Sequence, residues 1–161
     1  MRETLFNWLQ PRIVGARCLD LYAGSGALGL EALSRGADSV VFVERQRLVA
    51  EALRTLLRDW QATGAQVICD EALSYLNAGR RSDQHSGRFD VVFLDPPYAA
   101  SRDGELSAAL EALRQGNLAE DARIYVEHAK SDPEPLLKGW RQLRTGTAGE
   151  VRYHLLAASD A

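Results

Sequence analysis

Two stretches of this chain hold residue types that could do chemistry. The first is FDVVFLDPPY, Phe89 to Tyr98. Its apolar run, Val91 to Leu94, reads as a strand buried on both faces. Pro96 and Pro97 supply no backbone N–H, and each holds the residue before it extended, so the strand must end there in a stiff turn. That turn offers the Asp95 carboxylate, the Pro96 carbonyl and the Tyr98 ring. Two acceptors beside a flat aromatic surface suit an amino group carried on a planar ring. The second stretch begins DLYAGSGALG at Asp20 and places Gly24, Gly26 and Gly29 in G-x-G-x-x-G spacing, with Glu44 further along. Such glycines allow a tight turn against a ligand, and an acidic residue at that distance can accept both hydroxyls of a ribose. The same residues would also suit an ordinary strand-to-helix turn and a solvated strand end.

Asp20 separates the ligands that share this fingerprint. It stands four residues before Gly24, where a pyrophosphate site would carry apolar residues. A carboxylate fixed there repels pyrophosphate and attracts an ammonium group. S-adenosylmethionine has an ammonium on its methionine end and no phosphate. Asp70, in ICDEAL, is placed to accept from an adenine amino group, to cap a helix beginning at Glu71, or to do both.

The elements that must position these residues follow from periodicity and punctuation. An amphipathic helix is expected over 2–9, stopped by Pro11, and strands over 17–22, 39–44, 65–69, 89–94 and 123–127. Helices are expected over 27–34, 47–61, 71–77, 103–115 and 133–138. The helix over 47–61 is expected to bury Leu48, Ala52, Leu56 and Trp60. Residues 140–145 and 151–157 alternate around Gly146 and Gly149 and predict an antiparallel hairpin, and 80–88 an exposed loop. Strands alternating with helices predict an α/β fold: a Rossmann-like, doubly wound, mostly parallel seven-stranded sheet with an antiparallel C-terminal hairpin, in a single domain over 1–161. Ligands of such sheets sit beyond the carboxyl ends of the strands. Asp20–Gly26, Glu44, Asp70 and Asp95–Tyr98 all fall there, on one rim.

Composition narrows the setting. The chain has 161 residues, 46% hydrophobic and 25% charged, enough for one domain with a core. No apolar run approaches the ~20 residues of a membrane span and no leader is visible, so a cytoplasmic protein is expected. Cys18 and Cys69 lack metal-type spacing and read as reduced core thiols. The net charge of −3 gives no global basic field, although Arg80, Arg81, Arg88 and Arg102 flank rim loops and could hold phosphates. His85, His128 and His154 read as surface or packing residues, with a minor substrate contact open to Glu127 and His128.

The motifs together resemble those of class I S-adenosylmethionine-dependent methyltransferases: DLYAGSGALG at Asp20–Gly29, the acidic end of VVFVE at Glu44, DEA at Asp70–Ala72 and DPPY at Asp95–Tyr98. The DPPY form is similar to the branch that methylates exocyclic amines. RETLFNWL at Arg2–Leu9, followed by DLYAGSGALGLEALSRGA at Asp20–Ala37, is similar to the bacterial small-subunit rRNA guanine-N2 methyltransferases of the RsmD type. The resemblance implies S-adenosylmethionine as cofactor, S-adenosylhomocysteine as product, and no metal. It implies cofactor contacts at Asp20, Leu21, Tyr22, Ala23, Gly24, Ser25, Gly26, Glu44, Arg45, Asp70, Glu71, Ala72 and Asp95, and catalysis at Asp95, Pro96, Pro97 and Tyr98. It further implies a monomer acting on guanine N2 in 16S rRNA, free or in the assembling 30S subunit. Members of that family carry a basic, threonine-rich segment before the RETLFN helix; the sequence here starts at that helix, so a catalytic core without its RNA-gripping segment is expected. Competing readings are a DNA adenine-N6 or protein-glutamine methyltransferase, a nicotinamide oxidoreductase (disfavoured by Asp20) and a non-catalytic cofactor-binding assembly factor.

Overall fold

The computed structural model describes residues 2–81, 88–97, 104–116, 118–135 and 137–159. Seven strands form one sheet: β1 (Arg17–Asp20), β2 (Ser39–Glu44), β3 (Ala65–Cys69), β4 (Phe89–Leu94), β5 (Leu118–Ala129), β6 (Trp140–Ala148) and β7 (Val151–Ala158). Their order is β3-β2-β1-β4-β5-β7-β6. The first five strands run parallel, while β7 pairs antiparallel with both β5 and β6. This is the expected mixed α/β sheet with its closing hairpin. Winding goes outward from β1 to β3 and then returns to β4, so the switch point lies between β1 and β4.

The centre of the sheet is dry. Val91, Val92, Phe93 and Leu94 of β4 have no exposed surface, and they alternate between two apolar layers. Val91 and Phe93 face α1 (Arg2–Ile13), α2 (Ala27–Ser34) and α3 (Arg47–Asp59). Val92 and Leu94 face α4 (Ala72–Arg81) and α5 (Glu105–Arg114). Helices on both faces are what a continuous apolar strand demands. No described helix is long and apolar enough to cross a membrane.

Several elements depart from the sequence expectations. Pro11 does not end α1, which runs on to Ile13. Leu5, Leu9 and Ile13 recur every four residues on the buried face, and burying Ile13 (~1.5–3 kcal/mol) offsets the N–H that Pro11 lacks. The chain turns at Gly15, whose φ is 78° and whose N–H donates to the Gly36 carbonyl at 2.8 Å. In α3 the buried stripe is Ala50, Leu53 and Leu57, while Leu48 and Trp60 are 79% and 62% exposed. Two apolar stripes run along that helix, and the one chosen is the one that packs on β2 and β3. Cys18 is buried but Cys69 is exposed. No helix forms over the described residues of 133–138. Strand β5 extends to Leu118–Ala129, longer than expected, because β4 and β7 pair along it.

Candidate functional site

Strand β1 ends at Asp20, shorter than predicted, because the next residues bend across the rim. Leu21 N–H donates to the Phe93 carbonyl at 3.2 Å and Ala23 N–H to the Val43 carbonyl at 2.9 Å. Residues 21–23 are thus pinned between the ends of β4 and β2. Gly24 follows with φ 55° and Gly26 with φ 83°, left-handed conformations that glycine adopts without strain. Gly26 N–H closes the turn on the Ala23 carbonyl at 2.7 Å and helix α2 begins at Ala27.

Asp20 is 2% exposed and its Oδ2 accepts the Gly29 N–H at 3.1 Å. Gly29 is the third residue of α2, so the β1 carboxylate satisfies a free amide at the helix start, where Gly26 offers no capping side chain. Gly29 is required for a second reason: a Cβ there would overlap the Phe42 ring and lie 2.9 Å from Val40 Cγ1. Burial raises the Asp20 pKa to about 7; the Gly29 amide pulls it down and Glu44 pushes it up. Glu44 braces the loop, its Oε2 accepting the Gly24 N–H at 2.8 Å and its Oε1 the Gln46 N–H at 3.0 Å. Asp70 Oδ1 accepts the Glu71 N–H at 2.8 Å, just before α4.

These strand ends open into one cleft of about 850 Å³. Asp20, Leu21, Tyr22, Ala23, Gly24, Ser25, Glu44, Arg45, Asp70, Glu71, Ala72, Asp95, Pro96 and Pro97 all line it. Gly26 does not: it faces α3, where a Cβ would come within 2.7 Å of Leu53 Cδ1. Tyr98 lies outside the described residues. Asp95 opens onto the cleft, yet crowding by protein atoms raises its pKa to about 7, helped by Glu127 and then Asp20. The same desolvation raises Glu127, against the lowering effect of the Tyr125 hydroxyl, which donates to its Oε2 at 3.0 Å.

Glu105 of α5 and Glu127 of β5 complete the wall. The sequence placed Glu127 on the rim; Glu105 went unnoticed. Its only signal was an acidic first turn after Gly104, an ordinary helix start. The Tyr22 hydroxyl is buried beside Glu105 without completing a hydrogen bond of normal geometry, and burial raises its pKa, as do the Glu105 charge and contact. Among the described lining residues there are seven carboxylates (Asp20, Glu44, Asp70, Glu71, Asp95, Glu105, Glu127) and one guanidinium, Arg45. Such a wall repels phosphate and favours a cationic ligand bearing hydroxyls and an amino group.

Comparison with known proteins gives a consistent picture. The family model described as Conserved hypothetical protein 95 matches residues 1–157. A curated Escherichia coli K12 relative, ribosomal RNA small subunit methyltransferase D, is 42% identical over 157 residues, covering 96% of this chain and 75% of its own. The Haemophilus influenzae protein of the same name is 40% identical over 158 residues, covering 96% and 78%. The solved structure of Escherichia coli yhhF superimposes with a TM-score of 0.87 at 41% identity, covering 99% of this chain and 86% of that one.

Proposed function

Because the chain belongs to the Conserved hypothetical protein 95 family, the RsmD family of methyltransferases, we propose that it methylates the exocyclic N2 amine of a guanine in 16S rRNA. It is an rRNA methyltransferase of the small subunit, like the relatives named for that activity, and S-adenosylmethionine is its methyl donor in this reading. The observation that carries the finer reading is the Asp95-Pro96-Pro97 turn, set beside an acidic cleft at the switch point of the sheet.

The cleft suits the cofactor. A wall of carboxylates accommodates an ammonium and a sulfonium but no pyrophosphate. A Cβ on Gly24 would meet nothing within 4 Å, which leaves room for a ligand against the backbone. In this reading Asp20 faces the ammonium, Glu44 the ribose hydroxyls through its remaining lone pairs, and Asp70 the adenine amine. The bound cofactor supplies a methyl group that is already electrophilic. What the protein must do is place a nitrogen in line with it at near-attack distance.

The guanine amine is a poor nucleophile because its lone pair is delocalised into the ring. The Asp95 carboxylate and the Pro96 carbonyl accept its two N–H groups, which turns the lone pair towards the methyl and matches the positive charge developing on nitrogen. Ionised Asp95 is the stronger acceptor, although its pKa in the free protein is about 7. A cationic ligand in the cleft lowers that value and so prepares the acceptor. After transfer, the proton leaving nitrogen finds in Asp95 and Glu127 two carboxylates of raised basicity. The target base must leave its stack to reach this turn, and Tyr98 is proposed as the ring it stacks on.

Melting curves with S-adenosylhomocysteine and with NADH test the cofactor assignment. A rise with the first and none with the second supports it. The reverse would return the fold to nicotinamide chemistry. The Asp95→Asn variant should keep the S-adenosylhomocysteine response and lose methyl transfer to rRNA.

A further inference from the structure

Strands β5 and β7 and the segment after β5 bring together three residues to which the methyl-transfer reading assigns no step, although His128 also borders the cofactor cleft. His154 lies opposite Val126, and His128 opposite Arg152, so the two histidines are diagonal neighbours on one face of the antiparallel ladder. They are 4% and 3% exposed, His128 and His154 respectively, and their Nε2 atoms are 3.1 Å apart. Ring centroids 5.2 Å apart show that the rings meet by their Nε2 edges. Glu134, from the segment between β5 and β6, puts its Oε2 at 3.8 Å from one Nε2 and 3.9 Å from the other. Its Oε1 is held by Arg152.

We propose that His128, His154 and Glu134 form a binding site for a divalent transition-metal ion of the zinc class. The three ligand atoms lie within 4.8 Å of one another. Imidazole nitrogen and carboxylate oxygen are ordinary zinc ligands at about 2.0–2.2 Å, which sets ligand atoms of a tetrahedral site a little over 3 Å apart. The outer contacts have the form that metal-bound histidines use. His128 Nδ1 donates to the Ala129 carbonyl at 2.9 Å, leaving the Nε2 lone pair for a cation. His154 Nδ1 lies 3.2 Å from Thr145 Oγ1, whose hydroxyl points at the Tyr153 carbonyl at 3.3 Å. That hydroxyl oxygen can accept from Nδ1, again leaving Nε2 bare. Two bare lone pairs at 3.1 Å repel unless a cation lies between them. A second opening, bordered by Thr145, Gly146 and Thr147, gives solvent access for entry and for a fourth, water ligand. Bound there, the ion would tie the segment after β5 to the hairpin. It would thereby brace Ala129 and Val151, paired residues that form the far wall of the cofactor cleft.

The test is direct. Protein freed of metal by chelator is titrated with Co²⁺ and its visible absorption recorded; melting curves are then taken with Zn²⁺ and with Mg²⁺. One equivalent of Co²⁺ should give the intense bands of a tetrahedral N/O site, and Zn²⁺ but not Mg²⁺ should raise the melting temperature by several degrees. His154→Gln and Glu134→Gln should each weaken binding at least tenfold, and Cys69→Ser should leave it unchanged. Glu134 is exposed enough that its variant folds even if His154→Gln does not. Absence of the bands and of the melting shift, or their loss in Cys69→Ser alone, would overturn the proposal. The histidines would then form a neutral hydrogen-bonded chain, Thr145 to His154 to His128 to the Ala129 carbonyl.

Discussion

Replacing Asp20 by Asn should stabilise the free protein at pH 8 while weakening its hold on the cofactor. Asp20 is buried and its pKa is about 7, against 3.8 for the same group in an open chain. The folded state therefore keeps a proton that the unfolded chain has already released. The contribution of Asp20 to stability is fully present below pH 4, falls as pH rises towards 7, and levels off above it. A difference of about three pH units, at ~1.4 kcal/mol each, is about 4 kcal/mol by pH 8. Asn keeps an oxygen to accept the Gly29 N–H and removes the charge. Its NH2 group, short of partners, costs about 1–2 kcal/mol, which leaves a net gain of ~2–3 kcal/mol. For a domain of this size that is roughly 4–12 °C in melting temperature. The assay is thermal unfolding at pH 6 and pH 8, with and without S-adenosylhomocysteine. The variant should melt higher at pH 8, show a smaller fall between the two pH values, and gain less from the ligand, whose ammonium has lost its partner. An Asn variant that melts lower at pH 8 with an unchanged pH slope would refute the claim that Asp20 is held ionised at a cost.

Other consequences can be measured the same way. Methyl transfer should rise with pH through about 7 in kcat/KM, because ionised Asp95 is the stronger acceptor for the amine, and the step in kcat should sit lower once the cationic cofactor is bound; a flat profile from pH 6 to 8 would remove Asp95 from that role. Glu44→Gln should weaken S-adenosylhomocysteine binding about tenfold or more, through loss of a charge-assisted bond of ~1.5–3 kcal/mol, as read by calorimetry. Gly29→Ala should destabilise by ~1–3 kcal/mol, because its methyl would press on Phe42, and denaturant unfolding measures it. In α3, Leu53→Ala should cost ~2–5 kcal/mol and Leu48→Ala within ~0.5 kcal/mol, a contrast that the opposite stripe would invert.

Features carried by local chemistry were legible in the sequence. The apolar run into Asp95-Pro96-Pro97 could only be a buried strand and a hard stop, and β4 with its two dry faces is that strand. The glycine spacing after Asp20 announced a turn, and α2 occupies Ala27–Ser34 as expected. Features that depend on which neighbour wins were not legible. Helix α3 offers Leu48-Ala52-Leu56-Trp60 and Ala50-Leu53-Leu57 as rival stripes, and only packing on β2 and β3 selects the second. Pro11 breaks helices by its own chemistry, but the buried Ile13 beyond it decides otherwise. That Asp20 caps α2 could not be read from spacing, because its partner Gly29 comes close only when β1 and α2 pack. Glu105 and the His128, Glu134 and His154 cluster are products of long-range pairing.

The most direct test of the central claim is to incubate the protein with isotopically labelled S-adenosylmethionine and 16S rRNA, free and in 30S particles, from cells lacking the corresponding methyltransferase. Nuclease digestion and mass spectrometry then locate the label. The prediction is one labelled N2-methylguanine, absent from the digest made with Asp95→Asn. Label in N6-methyladenine, or the same N2-methylguanine produced undiminished by Asp95→Asn, would contradict the assignment of the Asp95-Pro96 turn as the guanine amine's acceptor.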